Sequence, residues 1–457
     1  MTQPAEIVNP VRVAPRSLPV AGHLLHLLSP RRLDFLRSLR ATGPVVRIRL
    51  GTRDAYVLTT HEASRQLLQV QAGKFSRGSI FEKSRPIIGN GILSSDGEIH
   101  IRQRRNMQPV FHQQCIGRYV EPITKVTSRH VRAWRNGQTV SVGPEMHRMA
   151  GTILSHTIFS AERVRELATI IEDNLPTLYE GMTWRIFGPG EALKRIPTPG
   201  NRRFQKANES IRRTTDLVIR EYRNTPTGPS GDLVSMLIDA PDPYTGGPMS
   251  DQELCDEIVT IFVAGVDTPA TMLSWALHEL STRESLARRL EGEVDRVLEG
   301  RTLTYNDIPQ MPLLAAFINE LLRLYTPNTL LMRSAKESVT IEGFSIPQNA
   351  EVMYSPAALH WDEEIFPDPT QFKPERWLDA EASTIPRSAF IPFGAGNRRC
   401  IGDNLAIVEM HTVLSTLIAR WRFEPVAPKR VRPIAGVLVH PPKSLAVRLA
   451  ARHTSSA

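Results

Sequence analysis

The sequence predicts a mainly α-helical fold with small β-sheets, arranged as a single domain around one long buried helix. Apolar residues recur at helical spacing through most of the 457 residues. Runs with the alternation and turn residues of β-strands occur at only three places. Hydrophobic residues make up 41% of the chain and charged residues 23%, which is typical of a globular protein and excludes a disordered or fibrous one.

The first predicted element is a β-hairpin near the N-terminus. Residues 1–16 are expected to be a flexible leader, and residues 17–457 the single domain. Within that domain, Val45–Leu50 and Ala55–Leu58 are apolar-rich runs on either side of the polar turn Gly51-Thr52-Arg53-Asp54. Two strands joined by so short a turn are expected to pair with each other.

Helical periodicity and two weaker strand signals account for the rest of the chain. The strand signals lie at Val339–Ile346, where Glu342-Gly343 makes a turn, and near Ile434–Val447. The predicted helices are, in order, Glu62–Val70, Ile101–Gln108, Ile116–Trp134, Arg202–Tyr222, Asp251–Thr282, Leu286–Leu298, Leu313–Tyr325 and Asn404–Arg420.

The helix Asp251–Thr282 is the longest predicted element. Ser250 precedes it and Glu253 lies three residues later, which is the pattern of a capping box. A helix of about 32 residues spans roughly 48 Å, enough to cross a whole domain. Its apolar positions cover more than one face, as in buried helices, so we expect it at the centre of the fold.

Neither a secretory signal nor a membrane anchor is expected. No run reaches the ~18 apolar residues of a spanning helix. The stretch Leu18–Leu28 is interrupted by His23 and His26, and it lacks the small-residue cleavage pattern of a signal sequence. The three cysteines are too few for a disulfide framework and fit a reducing compartment. We therefore expect a cytoplasmic protein without a transmembrane anchor.

The chain is basic, with 56 Lys and Arg against 47 Asp and Glu, a net charge of +9. Charge of this sign suits a nucleic acid or an acidic protein. No nucleic-acid recognition motif accompanies it, so we expect no nucleic-acid partner. Solvated helix faces, or a docking face for an acidic protein, remain as explanations.

The segment Phe393–Gly402 surrounds Cys400 with residues suited to hold an anionic sulfur. Two glycines before the cysteine and one after it allow positive φ and a close approach of the backbone to a flat ligand. Arg398, Arg399 and the start of the following helix stabilise a thiolate. A merely structural cysteine would leave the glycines and arginines unexplained, and a tetrahedral zinc site would need a second cysteine nearby.

This ten-residue segment resembles the haem-binding signature of the cytochrome P-450 haem-thiolate monooxygenases, and the resemblance extends over essentially the whole chain. It implies haem b as cofactor, O2 as co-substrate, and the long helix crossing over the haem. Cys400 would be the axial iron ligand, with Phe393 beside the sulfur and Arg398 on a haem propionate. Gly394 and Gly396 would shape the loop, and Gly394 and Gly402 would contact the cofactor.

A second family motif lies at Glu320-Leu321-Leu322-Arg323, which places a carboxylate and a guanidinium on one helix face. Such pairs usually decorate solvated faces, but the adjacent leucines indicate a partly buried helix, where the pair needs a further partner. The resemblance supplies Arg376. It implies that Glu320, Arg323 and Arg376 form a structural network beneath the haem that supports folding and haem retention.

Within the long helix, Ala264-Gly265-Val266-Asp267-Thr268 is similar to the oxygen-activation motif of the family. Ala264, Gly265 and Thr268 share one face, where small side chains leave room for haem, oxygen and substrate. The resemblance implies that Thr268 donates to the distal oxygen and that Asp267 relays protons from water. Alternatively, Thr268 bonds back to the Ala264 carbonyl, and the two arrangements are compatible.

Pro269 departs from the family, which usually has threonine at this position. Proline lacks the N–H that would bond to the Gly265 carbonyl and strains the helix. Our hypothesis is that Pro269 fixes a kink and leaves that carbonyl to a water of the proton relay.

Three cations match the family pattern for contacts with haem propionates. His100 and Arg104 lie four residues apart on one predicted helix, and Arg333 follows the glutamate–arginine helix. Each alone would more often be a surface residue, so the expectation depends on their shared order with Cys400.

The electrons are expected to come from separate proteins, because the chain carries no flavin or iron–sulfur signature. The resemblance implies NAD(P)H as the indirect source, with a ferredoxin and a ferredoxin reductase as partners. An acidic ferredoxin would suit the basic surface. The candidate contacts are Arg102, Arg105, Arg399 and Lys429–Arg432. The enzyme itself is expected to be a monomer.

The segments that contact substrate in the family are apolar here, which predicts a small apolar substrate. The candidate pocket residues, all equally compatible with ordinary core, are Phe81, Ile88, Met182, Phe262, Leu330, Leu331 and Val437. Phe81–Asn90, Ile101–His112 and Lys194–Phe204 also resemble bacterial members that oxidise cyclised terpenes such as pentalenene. The sequence therefore predicts hydroxylation, or stepwise oxidation, of a cyclic terpenoid of secondary metabolism. A macrolide or ansamycin-type polyketide is the alternative.

Two other functions remain open at the level of sequence. A peroxide-driven or redox-neutral haem-thiolate enzyme would usually lack the acid–alcohol pair Asp267-Thr268. A haem-binding sensor or carrier would form no product when supplied with ferredoxin, reductase and NAD(P)H.

Overall fold

The computed structural model describes residues 9–159, 166–167, 169–171, 173–174, 177–178, 181–182, 185, 196–224, 232–240, 247–378, 383–426, 431–435 and 438–452. Helices dominate these residues. In chain order they are α1 Leu24–Leu28, α2 Arg32–Ser38, α3 His61–Arg65, α4 Ser79–Ile88, α5 Gly97–Met107, α6 Gln113–Ile116, α7 Val120–Val131, α8 Val142–Thr157, α9 Pro199–Asn224, α10 Leu233–Asp239, α11 Asp251–Thr282, α12 Glu284–Leu298, α13 Pro312–Leu324, α14 Pro356–Leu359 and α15 Asp403–Arg420.

The strands are short and form four small sheets. In chain order they are β1 Arg12–Val13, β2 Val45–Leu50, β3 Arg53–Leu58, β4 Phe75–Ser76, β5 Thr139–Ser141, β6 Leu331–Ala335, β7 Val339–Ile341, β8 Phe344–Ile346, β9 Glu351–Tyr354, β10 Trp421–Pro425, β11 Ile434–Ala435, β12 Val439–His440 and β13 Ala446–Ala451. The predicted fold class, mainly helical with small sheets, is confirmed.

The chain divides into two compact units, each assembled from three segments. The first takes the described residues of 1–82, 319–400 and 433–440, and the second takes those of 83–318, 401–432 and 441–457. The prediction of a single catalytic domain over residues 17–457 stays a prediction.

The first unit is organised on a six-stranded sheet in the order β1-β2-β3-β9-β6-β4. The predicted hairpin is confirmed, with Val45 paired to Leu58 and Leu50 to Arg53. Its side chains alternate between two apolar clusters, so that Val45 belongs to one and Val46 to the other. The sheet is therefore covered by core residues on both faces.

The first unit begins close to the N-terminus. The predicted leader 1–16 is too long: residues 1–8 lie outside the described residues, but Arg12–Val13 pairs in parallel with β2. The Ala14 N–H also donates to the Arg47 carbonyl over 2.8 Å, and Ala14 is buried. A two-residue strand shows no alternation, which is why the sequence missed it.

The second unit is built from helices around α11, whose bounds agree with the predicted helix Asp251–Thr282. The capping box is present, because the Ser250 hydroxyl accepts from the Glu253 N–H and the Glu253 carboxylate accepts from the Ser250 N–H. Of the described helices, α11 is the one long and apolar enough to cross a membrane by length and composition. Since 78% of its most apolar window is buried, it has the character of a core helix.

Helix α8 packs along α11 and was not predicted. Gly143 and Pro144 in its first turn and Gly151 in its middle all have low helix propensity, which hides its periodicity. The α8–α11 contact is close because Gly265 has no side chain. A Cβ there would lie 3.1 Å from the Leu154 Cδ1.

Candidate active site

The loop before α15 presents Cys400, and its backbone needs glycine at two positions. Gly394 and Gly396 have φ values of +70° and +69°, a region that disfavours other residues. A Cβ at position 396 would also lie 1.8 Å from the Leu68 carbonyl oxygen. The loop therefore depends on glycine for its conformation at position 394, and for both conformation and packing at position 396.

Backbone hydrogen bonds hold the loop in a compact form. The Gly394 N–H donates to the Ile391 carbonyl over 3.0 Å, and the Cys400 N–H donates to the Phe393 carbonyl over 2.8 Å. Phe393 and Arg398 are half-buried, whereas Cys400 is exposed. The sulfur is thus carried at the surface of a well-fixed loop.

Cys255 in α11 has the opposite character to Cys400, because it is buried. Burial raises the pKa of its thiol to about 12, so it stays protonated and unreactive. Its environment fits a structural residue.

Glu320, Arg323 and Arg376 are brought together in the first unit and are almost fully buried. Arg323 donates to both Glu320 oxygens, from Nη2 over 2.8 Å and from Nε over 2.9 Å. The Arg376 Nε lies 3.2 Å from the same carboxylate. Trp377 Nε1 and the Lys373 N–H add further donors at 2.9 Å each. The carboxylate is therefore fully hydrogen-bonded, as a buried charge requires.

His360 connects this network to the cysteine loop, and sequence reasoning missed it. The Arg323 Nη1 donates to the His360 carbonyl over 2.8 Å, and the Ile391 N–H donates to the His360 Nε2 over 2.9 Å. Burial and the Arg323 charge lower the pKa of His360 to about 3, so the ring is neutral and able to accept at Nε2. No local pattern reveals this role, because 37 residues separate His360 from Arg323.

Helix α11 has one opening in its buried surface, at the predicted oxygen-activation motif. From Leu254 to Ser281, the residues that are not buried are Val263, Ala264, Gly265 and Thr268. Ala264 is exposed and Thr268 is partly exposed, whereas Asp267 is buried. The helix therefore offers a small-residue surface here, with a hydroxyl at its edge.

Two predictions about this motif are refined by the packing. The absent side chain of Gly265 makes room for Leu154 of α8, a contact that the sequence did not indicate. Asp267 has a partner that the sequence did not indicate: its Oδ1 lies 2.8 Å from the Nε2 of His147. Pro269 lies inside a continuous helix, and its effect on the proton relay stays a hypothesis.

The predicted propionate contacts are placed as follows. His100 is buried and Arg104 half-buried on α5, whose first N–H is capped by Asp96. Arg333 is buried in β6, where its Nη1 donates to the Met332 carbonyl over 2.8 Å and its guanidinium lies 5.8 Å from the Tyr354 ring centre. Gly402 is the N-cap of α15.

The predicted pocket residues have mixed environments. Phe262 is fully buried and stacks on Phe159 at 4.7 Å between ring centres, and its place in the pocket stays a prediction. Ile88 and Phe81 are also buried, with the Arg77 guanidinium 4.2 Å above the Phe81 ring. The partly exposed members are Met182, Leu330 and Leu331, and Val437 lies outside the described residues.

The segment after α4 is fastened to α11, which sequence reasoning also missed. The Asp256 carboxylate accepts from the Asn90 N–H over 2.7 Å, and Glu257 accepts from the Ile92 N–H over 3.0 Å. Burial raises the pKa of Glu257 to about 8. A Cβ at Gly89 would meet the Asp256 carboxylate at 1.9 Å, so the close approach requires glycine there.

Comparison with known proteins identifies the family. The sequence model of the family described as "Cytochrome P450" matches residues 13–448. In the solved structure of cyanobacterial CYP120A1 with bound retinoic acid, the same fold covers 97% of this chain and 100% of that one, with a TM-score of 0.85 at 23% identity. This likeness shows the fold.

Three curated relatives come from Streptomyces. Cyclooctat-9-en-7-ol 5-monooxygenase of S. melanosporofaciens is 38% identical over 90% of this chain and 89% of its own length. Cyclooctatin synthase of the same species is 36% identical over 92% of each. Pentalenene oxygenase of S. avermitilis is 34% identical over 96% of this chain and 97% of its own. On these matches the chain belongs to the cytochrome P450 family and is a monooxygenase.

Proposed function

We propose that this monooxygenase hydroxylates a cyclic terpenoid, using a haem held by Cys400 and electrons delivered by a separate ferredoxin and reductase. The observation that carries the proposal is the near full-length similarity to three relatives whose names refer to cyclic terpenoids, two of them as a monooxygenase and an oxygenase. Stepwise oxidation of one carbon is an extension of the same chemistry. A macrolide or ansamycin-type polyketide is the second candidate substrate.

The residues present fit a haem with a thiolate ligand. Cys400 offers an exposed sulfur, which is the donor that haem-thiolate enzymes use. Arg333 is buried, yet its contacts within the described chain are a carbonyl and an aromatic ring, and no carboxylate pairs with it there. A buried positive charge of this kind calls for an anion, and a propionate would supply it.

The haem, when bound, supplies the reduction and cleavage of O2. The protein residues have separate tasks. Cys400 would hold the iron, while Arg333, His100, Arg104 and Arg398 would bind the propionates. Ala264 and Thr268 form the opening on α11, and Thr268 would place a hydroxyl proton near the reacting oxygen. Asp267 would supply protons to that position.

The electron-transfer partner is proposed from charge. The net charge of +9 favours an acidic ferredoxin, which complementary charge would steer to the enzyme. Arg105 and Arg399 are exposed and suit this contact. Arg102 does not, because its side chain is 14% exposed and bonded to Glu253 over 2.5 Å. Lys429 and Arg430 lie outside the described residues.

The haem ligand is tested with two cysteine variants. We expect the purified protein, reduced and treated with carbon monoxide, to show the red-shifted Soret band of a thiolate-bound haem. Cys400→Ser should abolish that band, and Cys115→Ser, a partly exposed cysteine on α6, should keep it. A thiolate-type band that survives in Cys400→Ser would refute the assignment.

The substrate class is tested by spectral binding and turnover. Cyclic diterpenes and sesquiterpenes should displace the iron-bound water at micromolar concentration, and macrolides should not. With ferredoxin, reductase and NADPH, mass spectrometry should then find a product one oxygen heavier. Binding of macrolides alone would favour the polyketide alternative, and binding without any product would favour a haem-binding sensor or carrier.

A further inference from the structure

His147 of α8 contacts the buried acid of α11 in a way that fixes the position of a proton. Its Nε2 lies 2.8 Å from the Asp267 Oδ1, and its Nδ1 lies 2.8 Å from the Gly143 carbonyl oxygen. Gly143 lies four residues before His147 on the same helix, so the helix itself orients the ring. Both ring nitrogens therefore face oxygen atoms.

This geometry requires one more proton than a neutral imidazole and an ionised carboxylate carry together. A backbone carbonyl only accepts, so the Nδ1 of His147 must carry a proton. In a neutral ring the Nε2 would then present a lone pair to the carboxylate at 2.8 Å, which is repulsive. An extra proton between Nε2 and Asp267 removes the conflict. An imidazole is ordinarily the stronger base, so that proton belongs on His147, next to a carboxylate.

The two members of the pair differ in their access to water. The His147 side chain is 31% exposed and that of Asp267 is 3% exposed. The neighbouring charges on α8 are engaged with each other, because Arg148 pairs with Glu145 and Glu145 also accepts from His130 of α7. His147 is thus the partner of Asp267 that can exchange protons with solvent.

We propose that His147 recharges Asp267 with protons during turnover. This rests on the proposed function, in which Asp267 supplies protons as one oxygen atom of O2 leaves as water. In each turnover the Nε2–H of His147 passes its proton to the Oδ1 of the Asp267 carboxylate, and the protonated Asp267 then delivers a proton and becomes a carboxylate again. The neutral His147 ring takes the next proton from water. The electrons for the reaction come from the reductase and ferredoxin, so the step moves protons only.

The protonation state is tested directly by NMR of the protein labelled with 15N-histidine. At neutral pH, both ring nitrogens of His147 should show the shifts of an imidazolium. In Asp267→Asn, an amide can donate to Nε2, and His147 should become neutral with its proton on Nδ1. A neutral His147 in the wild-type protein, or the same shifts in both proteins, would overturn the proposal.

The role in turnover is tested with His147→Gln. Glutamine can still donate to Asp267, but it carries no exchangeable ring proton. Product formation should fall about tenfold, a loss within the range of general acid catalysis, with a larger solvent deuterium isotope effect and more peroxide per NADPH. The carbon-monoxide spectrum and substrate affinity should not change.

His156→Gln is the matched control. It lies on the same helix with the same type of contact, Nδ1 to the Thr152 carbonyl over 2.8 Å. It is nine residues beyond His147 and takes no part in the contact with Asp267, so the change should leave turnover unaltered. Wild-type coupling and isotope effect in His147→Gln would refute the relay. Absence of product in the wild-type enzyme would count against the proposed function instead, and the NMR experiment would still decide the pair.

Discussion

At the scale of single residues, Glu320 is the carboxylate on which two buried arginines depend. Replacing it with glutamine removes the charge and leaves Arg323 and Arg376 uncompensated. We expect Glu320→Gln to lower the free energy of unfolding by about 3–5 kcal/mol, the usual cost of breaking a buried pair. Urea denaturation measures the loss.

The control for Glu320→Gln is Glu284→Gln. Glu284 also pairs with an arginine on its own helix, but its side chain is 83% exposed. Water screens that pair, so we expect a change below about 1 kcal/mol. Equal losses in the two variants would contradict the view that burial makes Glu320 important.

A second residue-scale prediction concerns Glu409 of α15. Burial raises the pKa of Glu409 from 4.5 to about 8. Between these values the folded protein holds a proton that the unfolded chain has released. This contribution to stability is therefore complete below pH 4.5 and is lost as the pH rises through 8. Glu257 acts in the same direction.

Urea midpoints at pH 5 and pH 8 test the Glu409 prediction. Glu409→Gln is neutral at both pH values, so it should lose less stability than the wild type when the pH rises. Glu121→Gln, an exposed carboxylate paired with Lys125, should retain the wild-type pH dependence. An unchanged slope in Glu409→Gln would show that Glu409 is ionised in the folded protein.

Single residues also show what sequence can and cannot reveal. The spacing of Glu320 and Arg323 on one helix turn is local, and it could be predicted. His147 and Asp267 are 120 residues apart, and their contact depends on how closely α8 packs against α11. Such contacts are set by tertiary packing, so no residue spacing in the sequence predicts them.

At the scale of elements, the cysteine loop gives a prediction that separates backbone strain from packing. Gly394 and Gly396 have nearly the same positive φ. A Cβ at position 394 would lie 3.9 Å from its nearest neighbour, the Arg398 carbonyl oxygen, whereas a Cβ at position 396 would lie 1.8 Å from the Leu68 carbonyl oxygen. We expect Gly394→Ala to cost about 1–2 kcal/mol from φ alone, and Gly396→Ala clearly more.

Thermal unfolding together with the haem content of the purified variants measures this difference. Gly396→Ala should also bind less haem than Gly394→Ala, because the clash with Leu68 shifts the loop that carries Cys400. If both alanine variants lose the same stability and keep the same haem, the contact with Leu68 has no role in shaping the loop.

Helices differ in how well sequence predicts them, for reasons visible in their residues. The bounds of α11 could be predicted because Ser250 and Glu253 mark its start and its apolar positions continue without a break. Helix α8 begins with Gly143 and Pro144 and contains Gly151, so its propensity is poor. It is held by packing on α11, which the sequence does not display.

At the scale of the whole molecule, the net charge of +9 predicts how electron transfer responds to salt. If charge steers an acidic ferredoxin to the enzyme, its association rate should fall as ionic strength rises above about 0.1 M, where screening acts within roughly 10 Å. Stopped-flow reduction of the enzyme by ferredoxin measures this. Arg399→Glu should lower the rate at low salt and flatten its salt dependence.

Arg53→Glu is the control for Arg399→Glu, because it changes the net charge equally at an exposed position in β3. A similar loss in both variants would mean that total charge, rather than a docking face that includes Arg399, governs the rate. At this scale the fold class and family could be predicted from sequence. The division into two units could not, because each unit is assembled from segments far apart in the chain.

The segments of the two units alternate along the chain, which limits where the gene can be cut. The chain crosses from one unit to the other five times, so no single truncation point releases either unit with all of its segments. A fragment that ends before residue 319, for example, lacks β6 and β9, the two strands that join β4 to the rest of the six-stranded sheet. Shortened forms of this enzyme should therefore misfold rather than yield one complete unit.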